Sequence, residues 1–184
     1  MCIRDSAHTV RDLSPKRPGR DTETVALAAY RGSDFPQTLP MPDAQSVLMS
    51  VEHSSQRYPV TGSNIGLEWL TNDPTNAGFT RLGDSQRLYL PSLYHELHCL
   101  HELVLTMNGN YTTASGGHSR HCLNYLRQMT LCQADDTLES VSRAADEPFH
   151  WDVTASVHTC ADWTAPLQEM ERNYRQWKAK VATQ

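Results

Sequence analysis

A chain of 184 residues is long enough for one domain with a core of its own, since a protein of about 150 residues buries roughly 70% of its unfolded surface, and too short for a second complete domain. With 39% apolar and 20% charged residues, ten Pro and nine Gly, the composition suits a compact, loop-rich globule better than a disordered tail or a long helical rod. The net charge of -5 includes no Lys/Arg run of the kind that neutralises phosphates, which excludes nucleic acid as a partner.

In chain order, residues 1–45 carry Pro15, Pro18, Pro36, Pro40 and Pro42 with little periodicity. This predicts an extended or poorly ordered N-terminal arm, with at most a short helix at 24–31. The first twenty residues, opening Met1-Cys-Ile-Arg-Asp-Ser6, read as a truncated or misassembled start and carry no functional weight. The longest apolar runs, such as Val25-Ala-Leu-Ala-Ala29, fall far short of the roughly 20 residues that span a bilayer. No signal-peptide core precedes a small-residue cleavage site, so the chain as written is expected to carry no membrane anchor.

Residues 46–180 read as the functional domain. Strand-like alternation at 47–51 and 87–90, on either side of a short helix at 65–70 that carries Trp69, predicts a small antiparallel sheet or a pair of edge strands. After Pro91 the period changes. Leu93, Leu97, Leu100, Val104 and Leu105 recur at intervals of three and four, predicting a helix over 92–107. Residues 108–117 are a loop by composition. A second helix is expected over 118–133 with Leu123, Leu126 and Leu131 on its apolar side, and a C-terminal helix carries Leu167, Met170, Tyr174 and Trp177. The fold class is mainly α with a small β component, a single α+β domain.

The chemistry is concentrated in two His-x-x-His-Cys segments, His95 to Cys99 and His118 to Cys122, that begin 23 residues apart in a chain with nine His. Positions i, i+3 and i+4 of a helix share one face, so each segment presents a ligand cluster. Imidazole suits copper, zinc and iron, and a reduced thiolate would add a soft donor. His95, His98, His118 and His121 are therefore the expected metal ligands, and His158, in His158-Thr-Cys160, is the first choice for a further one. His53, His101 and His150 read as ordinary polar residues.

Both motifs stand at the N-terminal ends of their expected helices, so a tight antiparallel hairpin would hold them about 20 Å apart. The expected ten-residue loop reaches about 33 Å when extended, enough to return along the first helix. A joint site is thus expected to need helices packed parallel or strongly crossed.

With Cys2 set aside, the disulfide candidates are Cys99, Cys122, Cys132 and Cys160, and four cysteines allow three pairings. Cys122 and Cys132 on one continuous helix would lie about 15 Å apart, beyond bonding reach. Either one can reach Cys99 or Cys160. An oxidising compartment favours disulfides and a reducing one thiolate ligands. Asn110-Tyr111-Thr112 is a glycosylation sequon, which leans toward the secretory lumen or the extracellular side.

At this point the residues resemble a known family. Tyr94-His-Glu-Leu-His-Cys-Leu100, His118-Ser-Arg-His-Cys-Leu-Asn-Tyr-Leu-Arg-Gln128, Leu131-Cys-Gln-Ala-Asp-Asp-Thr-Leu-Glu139 and His158-Thr-Cys-Ala-Asp-Trp163 look like the ustYa-like oxidases of fungal secondary metabolism. The resemblance extends over roughly residues 46–178. It implies copper-dependent oxidative tailoring of a peptide or small molecule, by cyclisation, hydroxylation, dehydrogenation or halogenation, with dioxygen as co-substrate. It also implies His95, His98, His118 and His121 as ligands, Asp135 and Asp162 either as groups that orient them or as helix caps or surface charges, and homo- or hetero-oligomers of family members. The family's usual N-terminal membrane helix is missing from this chain as written. Two rival expectations are a non-catalytic zinc-stabilised binding domain and a scaffold member of a biosynthetic complex.

Overall fold

A computed structural model describes residues 28–51, 57–62, 65–109, 113–138, 141–142, 150–151 and 156–183. Cys2, His53 and the sequon residue Asn110 lie outside them, as does most of the short helix expected at 24–31. Residues 28–31 are not helical; Arg31 forms an isolated bridge with Asp34.

The elements run β1 (Ser46–Val51), α1 (Ile65–Trp69), β2 (Thr80–Leu82), β3 (Arg87–Tyr89), α2 (Ser92–Met107), α3 (Thr113–Gln133), β4 (Val141–Ser142), β5 (His150–Trp151), β6 (Ser156–Ala161) and α4 (Thr164–Ala182). The class is the expected α+β. The two anticipated strands do not pair with each other: β1 pairs antiparallel with β6, and β3 with β2. Residues 157–161 alternate out and in, with Val157 exposed and His158 and Cys160 half-buried, so the inward face of β6 carries a histidine and a cysteine singled out by the sequence.

α2 occupies the expected 92–107. Pro91 supplies the extended residue before it, and beyond Asn108 the left-handed Gly109 (φ +88) ends it with its N–H on Thr106 O. α3 begins five residues earlier than expected and takes Gly116 and Gly117 into its first turns. Each helical glycine costs about 1 kcal/mol relative to Ala. Just beyond them Ser119 Oγ shares a hydrogen bond of 2.8 Å with Thr106 Oγ1, tying the N-terminal part of α3 to α2.

This early start corrects the expected helix arrangement. His95 meets His121 and His98 meets His118, so the partners run in opposite order and α2 and α3 are antiparallel, not parallel. Their contacts run from Thr106–Ser119 at the connection to Glu96–Gln133 at the far end, which is lengthwise packing and not a strong crossing. Five added residues raise the second motif about 7.5 Å along α3 toward the first. That shift closes more than a third of the expected gap of about 20 Å.

The apolar faces also differ from the leucine pattern. Leu100, Leu123 and Leu131 are exposed, whereas Tyr94, Cys99 and Val104 of α2 and Cys122 of α3 are buried. The rest of the core is built on α4. Met170 is fully buried, and Asn173 pairs with the backbone of Arg81 in β2 through both its amide atoms (2.9 and 2.7 Å), in the manner of another strand. The Arg81 guanidinium lies 3.8 Å over the Trp177 ring, and Glu171 accepts from Thr75. The loop before β2 reaches α2 at Gly78 (φ +82), where a Cβ would come within 2.7 Å of Tyr94 Cβ.

Candidate metal centre

α2 and α3 each place two imidazoles one turn apart, and the antiparallel register faces the pairs. The four rings form a quadrilateral. Its cross-helix edges, His98–His118 at 5.4 Å and His95–His121 at 5.7 Å, are shorter than its within-helix edges, His118–His121 at 6.3 Å and His95–His98 at 6.5 Å. A metal about 2 Å from a ligating nitrogen lies about 3 Å from that ring's centroid, so rings sharing one ion stand about 5–6 Å apart. The cross-helix edges fit that spacing, and four imidazoles are a donor set that copper and zinc accept. The four expected ligands His95, His98, His118 and His121 thus stand together in the fold.

His98, His118 and His121 are exposed and His95 is half-buried. Burial lowers the pKa of His95, and the neighbouring His121, His98 and His118 lower it further, because a charged imidazole here would lose solvent and face three potential cations. The ring is kept neutral, the form that ligates.

Beneath the quartet, Cys99 and Cys122 are free, fully buried cysteines close enough to interact. Burial first, and then this contact, push the Cys99 thiol up to about 12, which opposes the thiolate that a metal would need. Cys132 is exposed near the end of α3 and Cys160 is half-buried in β6.

His158 stands with Asp135, whose Oδ2 lies 2.8 Å from His158 Nδ1. The other oxygen, Oδ1, accepts from the Thr137 hydroxyl and N–H. These Thr137 bonds, followed by His158, lower the Asp135 pKa to about 2. Asp135 follows the end of α3, and the helix axis from His121 to Gln133 runs about 18 Å. Asp162 instead accepts from the N–H and hydroxyl of Thr164 (2.9 and 2.6 Å), closing the first turn of α4. His101 is half-buried on α2, and His150 lies in β5.

Residues 50–180 match the family model described as mycotoxin biosynthesis protein UstYa. The chain belongs to the UstYa family. Its similar relatives include oxidase ustYa of Aspergillus flavus, 32% identical over 109 residues that cover 54% of this chain and 48% of the relative. Oxidase ustYb of the same organism is 27% identical over 139 residues (54% and 53%), and the UstYa family oxidase phomYb of Diaporthe leptostromiformis is 35% identical over 83 residues (41% and 32%). The chain therefore spans about half the length of the Aspergillus relatives it matches. No solved structure gives a significant match.

Two residues of this UstYa-family site escaped the sequence reading. Tyr125 packs its ring 4.0 Å from that of His95 and 6.3 Å from that of His121, walling one end of the quartet. Glu102 brings its carboxylate 3.6 Å from His118 Nδ1 at the other end. Both lie four residues beyond a motif histidine, His121 or His98, so helical spacing alone carried the signal.

Proposed function

We propose that this chain is the metal-binding domain of an oxidoreductase that tailors a peptide or small molecule of secondary metabolism. The observation that carries the reading is the cross-helix quartet of imidazoles, with the oxidase names of the relatives as support. Copper is the metal proposed for His95, His98, His118 and His121, and when bound it would supply one-electron chemistry with dioxygen.

The chain's own residues serve that chemistry in distinct ways. Neutral His95 keeps a nitrogen lone pair available without first losing a proton. The exposed rings of His98, His118 and His121 leave an approach open to a substrate. Tyr125 offers an aromatic wall against which a substrate ring packs. A Cys99–Cys122 disulfide is the pairing proposed under the site, since these two buried thiols are near enough to interact; it would fix the spacing of the motifs in an oxidising secretory compartment.

A non-catalytic zinc domain draws on the same donors. Structural zinc sites are closed, however, and three exposed imidazoles over a disfavoured thiolate suit an open site better. The test is to incubate the copper-loaded chain with dioxygen and tyrosine-containing peptides, following oxygen uptake and product mass. The expected result is loss of hydrogen from the peptide or gain of oxygen, abolished in His95→Ala. Zinc as the native metal, with no oxygen uptake by the copper form, would establish the rival.

A further inference from the structure

We propose that Glu102 is a metal ligand, closing with His98 and His118 a two-histidine, one-carboxylate cation site at the end of the quartet nearest the α2–α3 connection. The inference rests on the reading that the quartet binds metal and goes beyond it by dividing the quartet into two unequal ends.

Helical spacing and cross-helix packing converge here. Glu102 follows His98 by four residues, so the two share a face of α2, and His118 comes across from α3. One donor atom from each of the three lies within 4.8 Å of the others, the only such group of three among the described residues. The Glu102 Oε2–His118 Nδ1 separation of 3.6 Å is too long for a hydrogen bond. It is close to the edge of about 3.3 Å between two ligands of a tetrahedral ion with bonds of about 2 Å. The other carboxylate of this helix near the motif, Glu96, faces Gln133 at 3.3 Å.

The opposite end has a different donor set. His95 and His121 face each other beside Tyr125, with nitrogen donors and an aromatic ring. An anionic oxygen makes the Glu102 end harder and offsets part of the ion's charge, so this end favours Zn2+, Co2+ and other divalent ions, whereas the imidazole-only end suits copper in its softer reduced state. The first equivalent of a redox-silent divalent ion therefore settles at Glu102.

The test uses Zn2+ affinity, by competition with a chromophoric chelator, and the visible spectrum of the Co2+ form. Both are measured on the whole chain as wild type, Glu102→Gln, His98→Ala and the control Glu96→Gln, with circular dichroism as a check on folding. Glu102→Gln and His98→Ala should each weaken the tightest Zn2+ equivalent by at least about tenfold, a ligand mattering no less than the groups that support one. Both should shift the Co2+ bands, and Glu96→Gln should do neither. Wild-type affinity and an unaltered spectrum in Glu102→Gln would overturn the proposal and leave the quartet reading standing. Weaker Zn2+ binding with unaltered Co2+ bands would also overturn it, by assigning Glu102 to an ion pair with His118. A wild type that binds neither ion would overturn both readings together.

Discussion

The α2–α3 hairpin and the β2–β3 unit on α4 are held together by different means. The β2–β3 unit is locked by directional contacts: Asn173 on the Arg81 backbone, Glu171 on Thr75, Arg81 over Trp177, and Met170 fully buried beneath. In the hairpin His98, His118 and His121 are exposed, as are Leu100, Leu123 and Leu131, and among its described residues only Tyr94, Cys99, Val104 and Cys122 are buried. The scaffold is held through packing, whereas in the proposed reading the site hairpin would draw on a Cys99–Cys122 link and a bound ion. A region arranged to bind an ion gives up apolar burial, because the ligands occupy the helix faces that would otherwise pack.

The sharpest way to break this contrast is Met170→Ala. Truncating a fully buried methionine should cost about 2–5 kcal/mol in urea or thermal unfolding. The folded fraction should keep wild-type metal affinity; a parallel loss of affinity would show that the two regions are not separable. Next is the cysteine seam. If Cys99 and Cys122 are bonded, opening the 23-residue interval between them should cost about 3 kcal/mol. Wild type should then lose that stability on adding reductant, while Cys122→Ala should not respond, and a wild type indifferent to reductant would refute the bond. Asn173→Ala should cost about 1–3 kcal/mol by stranding the Arg81 N–H and carbonyl, again without changing metal binding.

The smallest effect is that of pH on the metal-free protein. The folded-state pKa of His95 lies below its unfolded value of about 6.5, so protonation favours the unfolded chain. Stability is unaffected by this group above that value and falls as pH drops through the folded pKa. Asp135 acts in a separate window, since its stabilisation is lost only as pH falls below the usual carboxylate value toward about 2. Urea midpoints at pH 7.5 and 5.5 should therefore differ less for His95→Gln than for wild type. Equal differences would remove the role assigned to burial and to the neighbouring imidazoles.

Much of this was legible in the sequence wherever the cause is local. The bounds of α2 follow from Pro91 and a three-four repeat, and the apolar stripe through Leu167, Met170, Tyr174 and Trp177 does face the core. The clustering of the four motif histidines was legible in part, because helical spacing alone places His95 with His98 and His118 with His121. Hidden features depend on contacts between distant segments. Gly116 and Gly117 look like a loop but lie inside α3, and that shift of about one and a half turns brings the second motif nearer the first in an antiparallel pair. Leucines misled the assignment of the buried faces because Cys99 and Cys122 occupy the seam. β6 was hidden because half of its alternation is written in His158 and Cys160, and its partner β1 lies more than a hundred residues earlier.

The central claim, that both motifs serve one metal centre, is tested most directly by copper content per chain in wild type, in His98→Ala and in the diagonal pair His98→Ala plus His121→Ala, each purified from a secretory host. Removing one ligand from each cross-helix pair should lower bound copper severalfold, and more than His98→Ala alone. Copper content unchanged from wild type in the double variant would contradict the account.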